Sequence, residues 1–275
     1  MKPLKIYFLS SEIYPFSNTY SLSKFSNQFS SYIHEDKEVD IRLCQPKYGY
    51  ISERKYILRE VIRLKDLKID FLNKEHTTNL KSAFIPETRV QVYFMEHDDY
   101  FKTIPDLLYK SRNGRVFQNN HEKFLFFVYT TFETLKKLFW VPDIIVCNDW
   151  QMAILGQLIK EKFKDDKLYS KIKTVSFVHS YNSYYKYPNN LFKALDLTYN
   201  NKKKGQDAFS IISKFSDLSY IIDDGKLINS LSKKPANKKD LSNKKNKMIE
   251  NYHSKNSSEK VEIFNQIIED FKSIV

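Results

Sequence analysis

Glycine and cysteine are both scarce in this chain, and each scarcity narrows what the protein can be. Only five of the 275 residues are glycine, and none precedes Gly49. A glycine-rich nucleotide loop after the first strand is therefore excluded, because only glycine lets backbone amides approach a phosphate that closely. The two cysteines, Cys44 and Cys147, lie in apolar runs. We expect them to be buried, inert thiols, and their small number suits a reducing cytosol.

Long apolar runs and an N-terminal targeting pattern are also absent. No run of 18 apolar residues occurs, so we expect no membrane span. Residues 1–9 contain neither a long apolar stretch nor a small-residue cleavage site, which favours a cytoplasmic protein. Hydrophobic residues nevertheless make up 41% of the chain. A chain of this length and composition can bury a substantial core in one large domain or two small ones.

Positive charge is in excess, but it is unevenly distributed. The formal net charge is +12, and residues 226–260 contain ten lysines and three acids, so this stretch alone contributes 10 − 3 = +7. The chain therefore lacks a uniformly basic binding face. Electrostatic binding of nucleic acid or anionic lipid through residues 233–247 is a minor alternative, and we expect no nucleic-acid partner because no base-stacking motif accompanies the lysines.

Apolar periodicity predicts an α/β fold. An apolar run at residues 4–10, helical spacing over 20–33 and alternation over 39–44 form a β-α-β unit, which is typical of a parallel sheet. Short, closely spaced β-like runs within 51–96 predict antiparallel hairpins, and 102–120 is predicted to be a loop. We therefore expect a Rossmann-like, doubly wound and mainly parallel sheet with an antiparallel hairpin insertion. The later predicted elements are helices at 122–139, 150–163 and 204–215 and strands at 143–147, 172–178 and 218–222.

The C-terminal region differs from the rest in composition. Residues 1–228 carry the α/β pattern, whereas 229–258 are rich in Lys, Asn and Ser and are predicted to be a mobile linker. Residues 259–275 have apolar positions at helical spacing, with Asn256 and Glu259 as a capping box. We expect this last segment to be an amphipathic helix that docks on the lobe formed by 1–228.

Polar residues follow three of the predicted strands. Glu12 comes just after the first strand, Asp149 after the strand at 143–147, and His179 after the strand at 172–178. The carboxyl ends of parallel strands form the edge where open α/β sheets bind ligands. A structural explanation also exists for each, namely a strand-to-helix turn at Glu12, a helix N-cap at Asp149 and a structural imidazole at His179.

Six segments resemble, in the same order, sequence blocks of the glycogen and starch synthases. The resemblance extends over roughly residues 4–190, and it is closest to the short, single-lobe members of this family from the Bacteroidetes. It implies one Rossmann-like lobe of a GT-B fold. The six blocks are S-S-E-I-Y-P-F (10–16), P-K-Y-G (46–49), V-Y-F with D-D-Y-F (92–94 and 98–101), N-N-H-E-K-F (119–124), P-D-I-I-V-C-N-D-W-Q (142–151) and T-V-S-F-V-H (174–179).

The resemblance also implies an activity. Family members move glucose from ADP-glucose to the end of an α-1,4-glucan with retention, and they require no metal or other cofactor. Their second lobe holds most of the nucleotide, and this chain matches the N-terminal lobe alone. We therefore expect a glucosyltransferase lobe that is impaired or that depends on a separate C-lobe protein. The alternative is a non-catalytic module that binds glucan or a partner through its aromatic segment, residues 181–187.

Site residues follow from the resemblance position by position. Asp149 and His179 match positions at the donor glucose, where a histidine can hydrogen-bond the sugar and stabilise charge on the leaving group. The K-T-G-G-L donor loop of the family aligns with residues 18–22, but its lysine and both glycines are replaced. The amide cradle and the phosphate-pairing charge are therefore lost. The predicted substrate-binding residues are Glu12, Asn18, Thr19, Tyr20, Ser21, Tyr181 and Asn182.

Overall fold

The computed structural model describes residues 2–102, 107–182 and 185–275, which form both strands and helices. The strands are β1 (Leu4–Leu9), β2 (Val39–Pro46), β3 (Arg59–Glu60), β4 (Leu67–Phe71), β5 (Lys74–Phe84), β6 (Gln91–Glu96), β7 (Ile144–Asn148), β8 (Lys173–Val178), β9 (Lys186–Pro188), β10 (Gly205–Asp207), β11 (Leu218–Ile222) and β12 (Asn246–Ile249). The helices are α1 (Ser21–His34), α2 (Glu53–Tyr56), α3 (Asn120–Leu138), α4 (Leu155–Gln157), α5 (Asn189–Ala194), α6 (Ala208–Phe215), α7 (Leu227–Ser232), α8 (Pro235–Leu241) and α9 (Ser257–Ile274).

One mixed sheet runs through the molecule in the order β12-β11-β8-β7-β1-β2-β6-β5-β3, with β4 paired to β5. The pairs from β12 to β6 are all parallel, which confirms the predicted mainly parallel α/β fold. Strand order reverses at β1, because the chain leaves β1 towards β2 on one side and later returns as β7 on the other. Such a reversal opens a crevice between the strand ends, where ligands bind in folds of this type.

Helix α1 follows its predicted apolar spacing and covers the sheet beside this reversal. Leu22, Phe25, Phe29 and Ile33 are buried on one face of the helix. The rings of Phe25 and Phe29 contact Phe177 of β8, with centroids 4.9 and 5.5 Å apart. Full burial of each such side chain contributes roughly 1.5–3 kcal/mol, so this face fixes α1 firmly at the sheet.

The predicted hairpin insertion is confirmed in outline and wrong in two details. β4 and β5 form an antiparallel hairpin, and β5 pairs antiparallel with β6. Residues 56–58 contain the end of α2 rather than a strand, because the Ser52 side chain accepts a hydrogen bond from the Lys55 amide and caps a short helix. The run at 90–94 belongs to β6, which also pairs in parallel with β2 and is therefore an integral strand of the main sheet.

The segment 229–258 is folded, so the prediction of a mobile linker is wrong. It contains most of α7, all of α8 and β12, and β12 extends the sheet by pairing in parallel with β11. Leu231 and Leu241 are buried although lysines surround them, and the buried Asn246 donates from its side chain to Ser213 Oγ at 2.9 Å. A few inward-facing residues are enough to hold the segment while the lysine heads stay solvated, and an average over composition does not detect this pattern.

The C-terminal helix docks on the lobe, as predicted. Asn256 and Glu259 form the predicted capping box at the start of α9. Phe264, Ile267, Ile268 and Phe271 are the buried residues of the helix, and the ring of Phe264 lies 5.3 Å from that of Phe29. The helix therefore lies beside α1 on the same face of the sheet, where its Asp270 accepts from the hydroxyl of Tyr220 on β11 at 2.6 Å.

Two further expectations concern the cysteines and the membrane. Cys44 and Cys147 are both free and buried, as predicted, and burial raises the pKa of the Cys44 thiol to about 12. Burial likewise raises the pKa of the Cys147 thiol. Among the described residues, none of the helices is both long and apolar enough to cross a bilayer.

Candidate functional site

The three polar residues predicted from strand ends lie at one edge of the sheet. Glu12 follows β1, Asp149 follows β7, and His179 follows β8, and these three strands are immediate neighbours. Glu12 and Asp149 are completely buried, and His179 is 5% exposed. The reversal of strand order at β1 thus brings two carboxyl groups together in a crevice screened from solvent.

Asp149 has a strained backbone and a side chain fully engaged by protein donors. Its φ of 62° and ψ of −170° lie in a region that is essentially restricted to glycine and costs other residues about 1–3 kcal/mol. Its Oδ1 accepts from the backbone amides of His179 at 3.2 Å and Ser180 at 3.1 Å. Its Oδ2 accepts from Ser180 Oγ at 2.6 Å and from the Tyr20 hydroxyl at 2.8 Å. These four bonds stabilise the strained conformation, and such strain is concentrated at functional sites.

Glu12 is held by a second set of hydroxyl groups. The Thr19 hydroxyl donates to Glu12 Oε1 at 2.6 Å, and the Thr19 amide donates to Oε2. The Tyr109 hydroxyl donates to Glu12 Oε1 at 2.7 Å and lies 2.8 Å from Ser11 Oγ. Tyr109 comes from the region predicted only as a loop, and no sequence pattern indicated its place in the site.

Burial dominates the electrostatics of both carboxyl groups. Desolvation raises the pKa of Asp149, although hydrogen bonds from Ser180, Tyr20 and the His179 amide offset part of this effect. Desolvation likewise raises the pKa of Glu12, with a further contribution from the nearby charge of Asp149. Both groups therefore take up protons more readily than exposed carboxyls do, as acids and bases in active sites commonly do.

The ring of His179 lies in an aromatic environment. It contacts Phe25 edge-on, with centroids 4.8 Å apart, and a more distant contact joins it to Phe177. Within the described part of the chain, both ring nitrogens are buried without a hydrogen-bond partner. Burial lowers the pKa of this imidazole to about 3, and the charge of His253 adds to the effect. The ring is therefore neutral near pH 7, and a neutral imidazole can donate one hydrogen bond to an oxygen.

The remaining predicted residues divide between the site and its surroundings. Tyr20 donates a hydrogen bond to Asp149, and Thr19 donates one to Glu12. Asn18 is exposed, and its side chain accepts from the Ser23 hydroxyl at 2.6 Å. Ser21 is the first residue of α1. Gln151, the last residue of the block at 142–151, donates from its side-chain amide to the Tyr20 hydroxyl at 3.3 Å. The substrate-binding roles of all these residues stay predictions.

The aromatic segment 181–187 packs against the protein over its described positions. The hydroxyl of Tyr181 donates to Asp207 at 2.8 Å, and the adjacent Asn182 lines a small cavity beside Asp149. Tyr185 stacks on the ring of Trp150 at 4.1 Å, and Tyr187 is completely buried. Residues 183 and 184 lie outside the described residues. These contacts account for the rings as packing groups and weaken the case for a sugar-stacking surface in this segment.

A pair of substitutions at Asp149 separates its strain from its hydrogen bonds. We expect Asp149→Ala to lower the free energy of unfolding by about 2–4 kcal/mol, because buried donors on Ser180 and Tyr20 lose their acceptor. Asp149→Gly should be more stable than Asp149→Ala by about 1 kcal/mol, because glycine relieves the strain at some cost in chain entropy. Urea unfolding measures both changes.

The same two substitutions at an unstrained position provide the control. Lys137 is exposed near the end of α3, where glycine should be less stable than alanine by about 0.5–1 kcal/mol. The predicted order of stability at Lys137 is thus the reverse of that at Asp149. The same order at both positions would show that the backbone of Asp149 is not strained in solution.

Comparison with known proteins places this chain in a family. Residues 5–236 match the family model described as the starch synthase catalytic domain. A glycogen synthase of Chlorobium limicola is 34% identical over 176 residues, which cover 64% of this chain and 36% of that protein. A glycogen synthase of Chlorobaculum tepidum is 31% identical over 176 residues, with the same coverage of each chain.

A solved structure shows the same fold. The catalytic domain of starch synthase IV from Arabidopsis thaliana, bound to ADP and acarbose, superposes with a TM-score of 0.72 at 16% identity. The superposition covers 91% of this chain and 52% of that one, and the sequence matches to the glycogen synthases cover about a third of their length. Because the family match extends over most of the chain, the protein belongs to the starch synthase catalytic domain family and contains one α/β lobe of it.

Proposed function

We propose that this chain is the N-terminal lobe of a glucosyltransferase that moves glucose from ADP-glucose to an α-1,4-glucan. The observation that supports this function most directly is the pairing of two buried carboxyls, Glu12 and Asp149, at the reversal of strand order. The family match and the glycogen synthase relatives supply the class of reaction. A nucleotide sugar and a glucan are accordingly the proposed substrates.

The residues of the crevice suit the binding of a hexose. Ionised carboxyls accept hydrogen bonds from sugar hydroxyls, and a protonated carboxyl can also donate one. The His179 imidazole, neutral because it is buried, can donate to a sugar oxygen without bringing a charge into the crevice. A donor held in place there stabilises the oxygen that gains negative charge as the leaving group departs.

A second lobe is required for the complete reaction in this proposal. The main sheet described here is one α/β lobe, and the aligned residues cover 36% of the length of the glycogen synthase relatives. We propose that the nucleotide-binding wall lies outside this sequence, on a separate C-lobe protein. The exposed Asn18 stands where the family has a lysine, so contacts to the phosphates would come mainly from that partner.

Transfer of labelled glucose from ADP-glucose to glycogen tests the proposal. The purified chain is assayed alone and together with a candidate C-lobe, and UDP-glucose serves as the competing donor. We expect elongation by the reconstituted pair, and His179→Ala should lower it by about 10²–10³-fold. His34→Ala is the matched control, because His34 lies at the far end of α1, and it should leave the rate unchanged.

Two results would contradict this function. The first is the absence of glucose transfer by the reconstituted pair, and the second is transfer that His179→Ala does not change. A non-catalytic glucan-binding module is the second candidate, which the replacement of the family's lysine and two glycines by Asn18, Tyr20 and Ser21 favours. That second role would be supported if calorimetry shows that a maltooligosaccharide binds and ADP-glucose does not, and if no glucose is transferred from ADP-glucose.

A further inference from the structure

Tyr20 reaches across the crevice from the start of α1 to the end of β7. Its backbone is extended, with φ of −154° and ψ of −179°. The hydroxyl donates to Asp149 Oδ2 at 2.8 Å and accepts from Gln151 Nε2 at 3.3 Å. The ring meets the ring of Tyr109 edge-on, with centroids 5.9 Å apart. A six-membered ring that bears a hydroxyl is thus bonded to one carboxyl group of the site and packed against Tyr109, which bonds to the other.

Asp149 has no capacity left for a ligand in this arrangement. An ionised carboxylate offers about four lone-pair positions, and four protein donors already occupy Asp149. The adjoining cavity, lined by Ser180, Tyr181 and Tyr185 among others, has a volume of only about 10 Å³. That volume holds about one water molecule, so a sugar cannot enter this cavity, and the position beside Asp149 Oδ2 is taken by the Tyr20 hydroxyl.

Buried polar atoms without partners flank Asp149. Within the described residues, Asn148 Oδ1, Gln151 Oε1 and both ring nitrogens of His179 have no hydrogen-bond partner. The Gln151 side-chain nitrogen donates to the Tyr20 hydroxyl, which leaves its Oε1 without a partner among the described residues. Each unsatisfied buried group costs about 1–3 kcal/mol, and a polyhydroxyl ligand would supply the missing donors. These atoms indicate that the crevice is shaped for a ligand rather than for the packing of Tyr20 alone.

We propose that Tyr20 is a gate residue, whose phenol occupies a hexose position at Asp149 and must leave before a sugar can bind there. This inference rests on the proposed function, because it takes the crevice between Glu12 and Asp149 as the sugar site. The hydroxyl of Tyr20 makes the hydrogen bond that a sugar hydroxyl would otherwise make. The sugar position at Asp149 is therefore blocked by the side chain of Tyr20, and Tyr20 determines which ligands can bind there.

Calorimetry with three probes, D-glucose, maltose and ADP-glucose, tests the gate on the full chain. Tyr20→Gly should bind at least one of them at least tenfold more tightly than the wild type, because it removes the ring. Tyr20→Phe is the matched control, since it keeps the ring and loses only the hydroxyl. Its affinity should stay within threefold of the wild type. Thermal unfolding confirms that each variant is folded, and Tyr20→Ser replaces Tyr20→Gly if the glycine variant is not.

A second substitution locates the ligand. In the Tyr20→Gly background, Asp149→Asn should weaken the new binding at least tenfold, because the hexose would lose its ionised acceptor. Equal affinity of wild type and Tyr20→Gly for all three probes, including no binding by either, would overturn the gate. Binding by Tyr20→Gly that Asp149→Asn leaves unchanged would overturn it as well, because the ligand would then lie elsewhere.

The same measurements separate failure of the gate from failure of the proposed function. If Tyr20→Gly binds glucose or maltose but does not bind ADP-glucose or transfer glucose from it, the gate is correct and the donor role is wrong. If the wild type binds all three probes, ADP-glucose among them, as tightly as Tyr20→Gly does, the gate is wrong and the donor role stands.

Discussion

Truncation of the chain after Lys255 is expected to lower the free energy of unfolding by more than about 5 kcal/mol, which is enough to unfold a domain of ordinary stability. The truncation removes α9 with its four buried apolar side chains, whose burial is worth roughly 6–12 kcal/mol before the entropy of ordering the helix is subtracted. It also uncovers the rings of Phe25 and Phe29 on α1, which Phe264 contacts. Circular dichroism during urea unfolding measures the loss.

Single substitutions in α9 show whether packing is the cause. Phe271 is completely buried and its ring lies 6.2 Å from that of Phe29, so Phe271→Ala should cost about 3–5 kcal/mol. Val261 is 37% exposed on the same helix, and Val261→Ala should change the stability by less than about 0.5 kcal/mol. Unfolding midpoints that are equal for the truncated and intact chains would show that α9 does not stabilise the lobe.

Single strands of this fold could be predicted from the sequence more easily than the pairing between them. Strands that are buried on both faces appear as short apolar runs, and β11 begins and ends where its run predicts. Partners of a strand are harder to infer, because apolar alternation is the same whether a neighbour is parallel or antiparallel. The parallel pairing of β6 with β2 was missed for this reason.

The same limit explains which parts of the site could be found. Asp149 and His179 are visible in the sequence because each directly follows a strand, and position along a strand is a local property. Tyr109 meets Glu12 across 97 positions of the chain, and only the folded sheet brings them together. The contact between Tyr20 and Asp149 spans 129 positions, and Tyr20 appeared in the sequence only as a departure from a glycine pattern.

Acidification is expected to destabilise the protein below about pH 6.5, where histidines of the unfolded chain take up protons. Burial lowers the pKa of His179 to about 3, so its ring stays unprotonated in the folded protein when the pH is well above 3. Its contribution to stability is therefore complete above pH 6.5 and is lost as the pH falls towards 3, reaching a loss of about 2 kcal/mol at pH 5. Burial also lowers the pKa values of His76 and His97, whose Nδ1 and Nε2 atoms lie 3.0 Å apart, so these rings add to the loss.

Glu12 and Asp149 act in the opposite direction, which makes a comparison between variants more informative than a single pH curve. Burial raises the pKa of each carboxyl, so their contribution to stability is greatest at low pH and is lost as the pH rises through their folded values. His179→Gln removes one titrating group and leaves both carboxyls in place. Urea unfolding of this variant should show a slope between pH 5 and 6.5 that is smaller by up to about 1.4 kcal/mol per pH unit.

A destabilised variant that keeps all of its histidines is the control for His179→Gln. Phe264→Leu should lower the stability at every pH, because a smaller side chain fills the contact with Phe29 less well, and it should leave the slope unchanged. The two variants thus separate a loss of packing from a loss of titration. Parallel stability curves for the wild type and His179→Gln would mean that the imidazole is accessible to protons in the folded protein, and the buried, neutral ring assigned to this crevice would then be wrong.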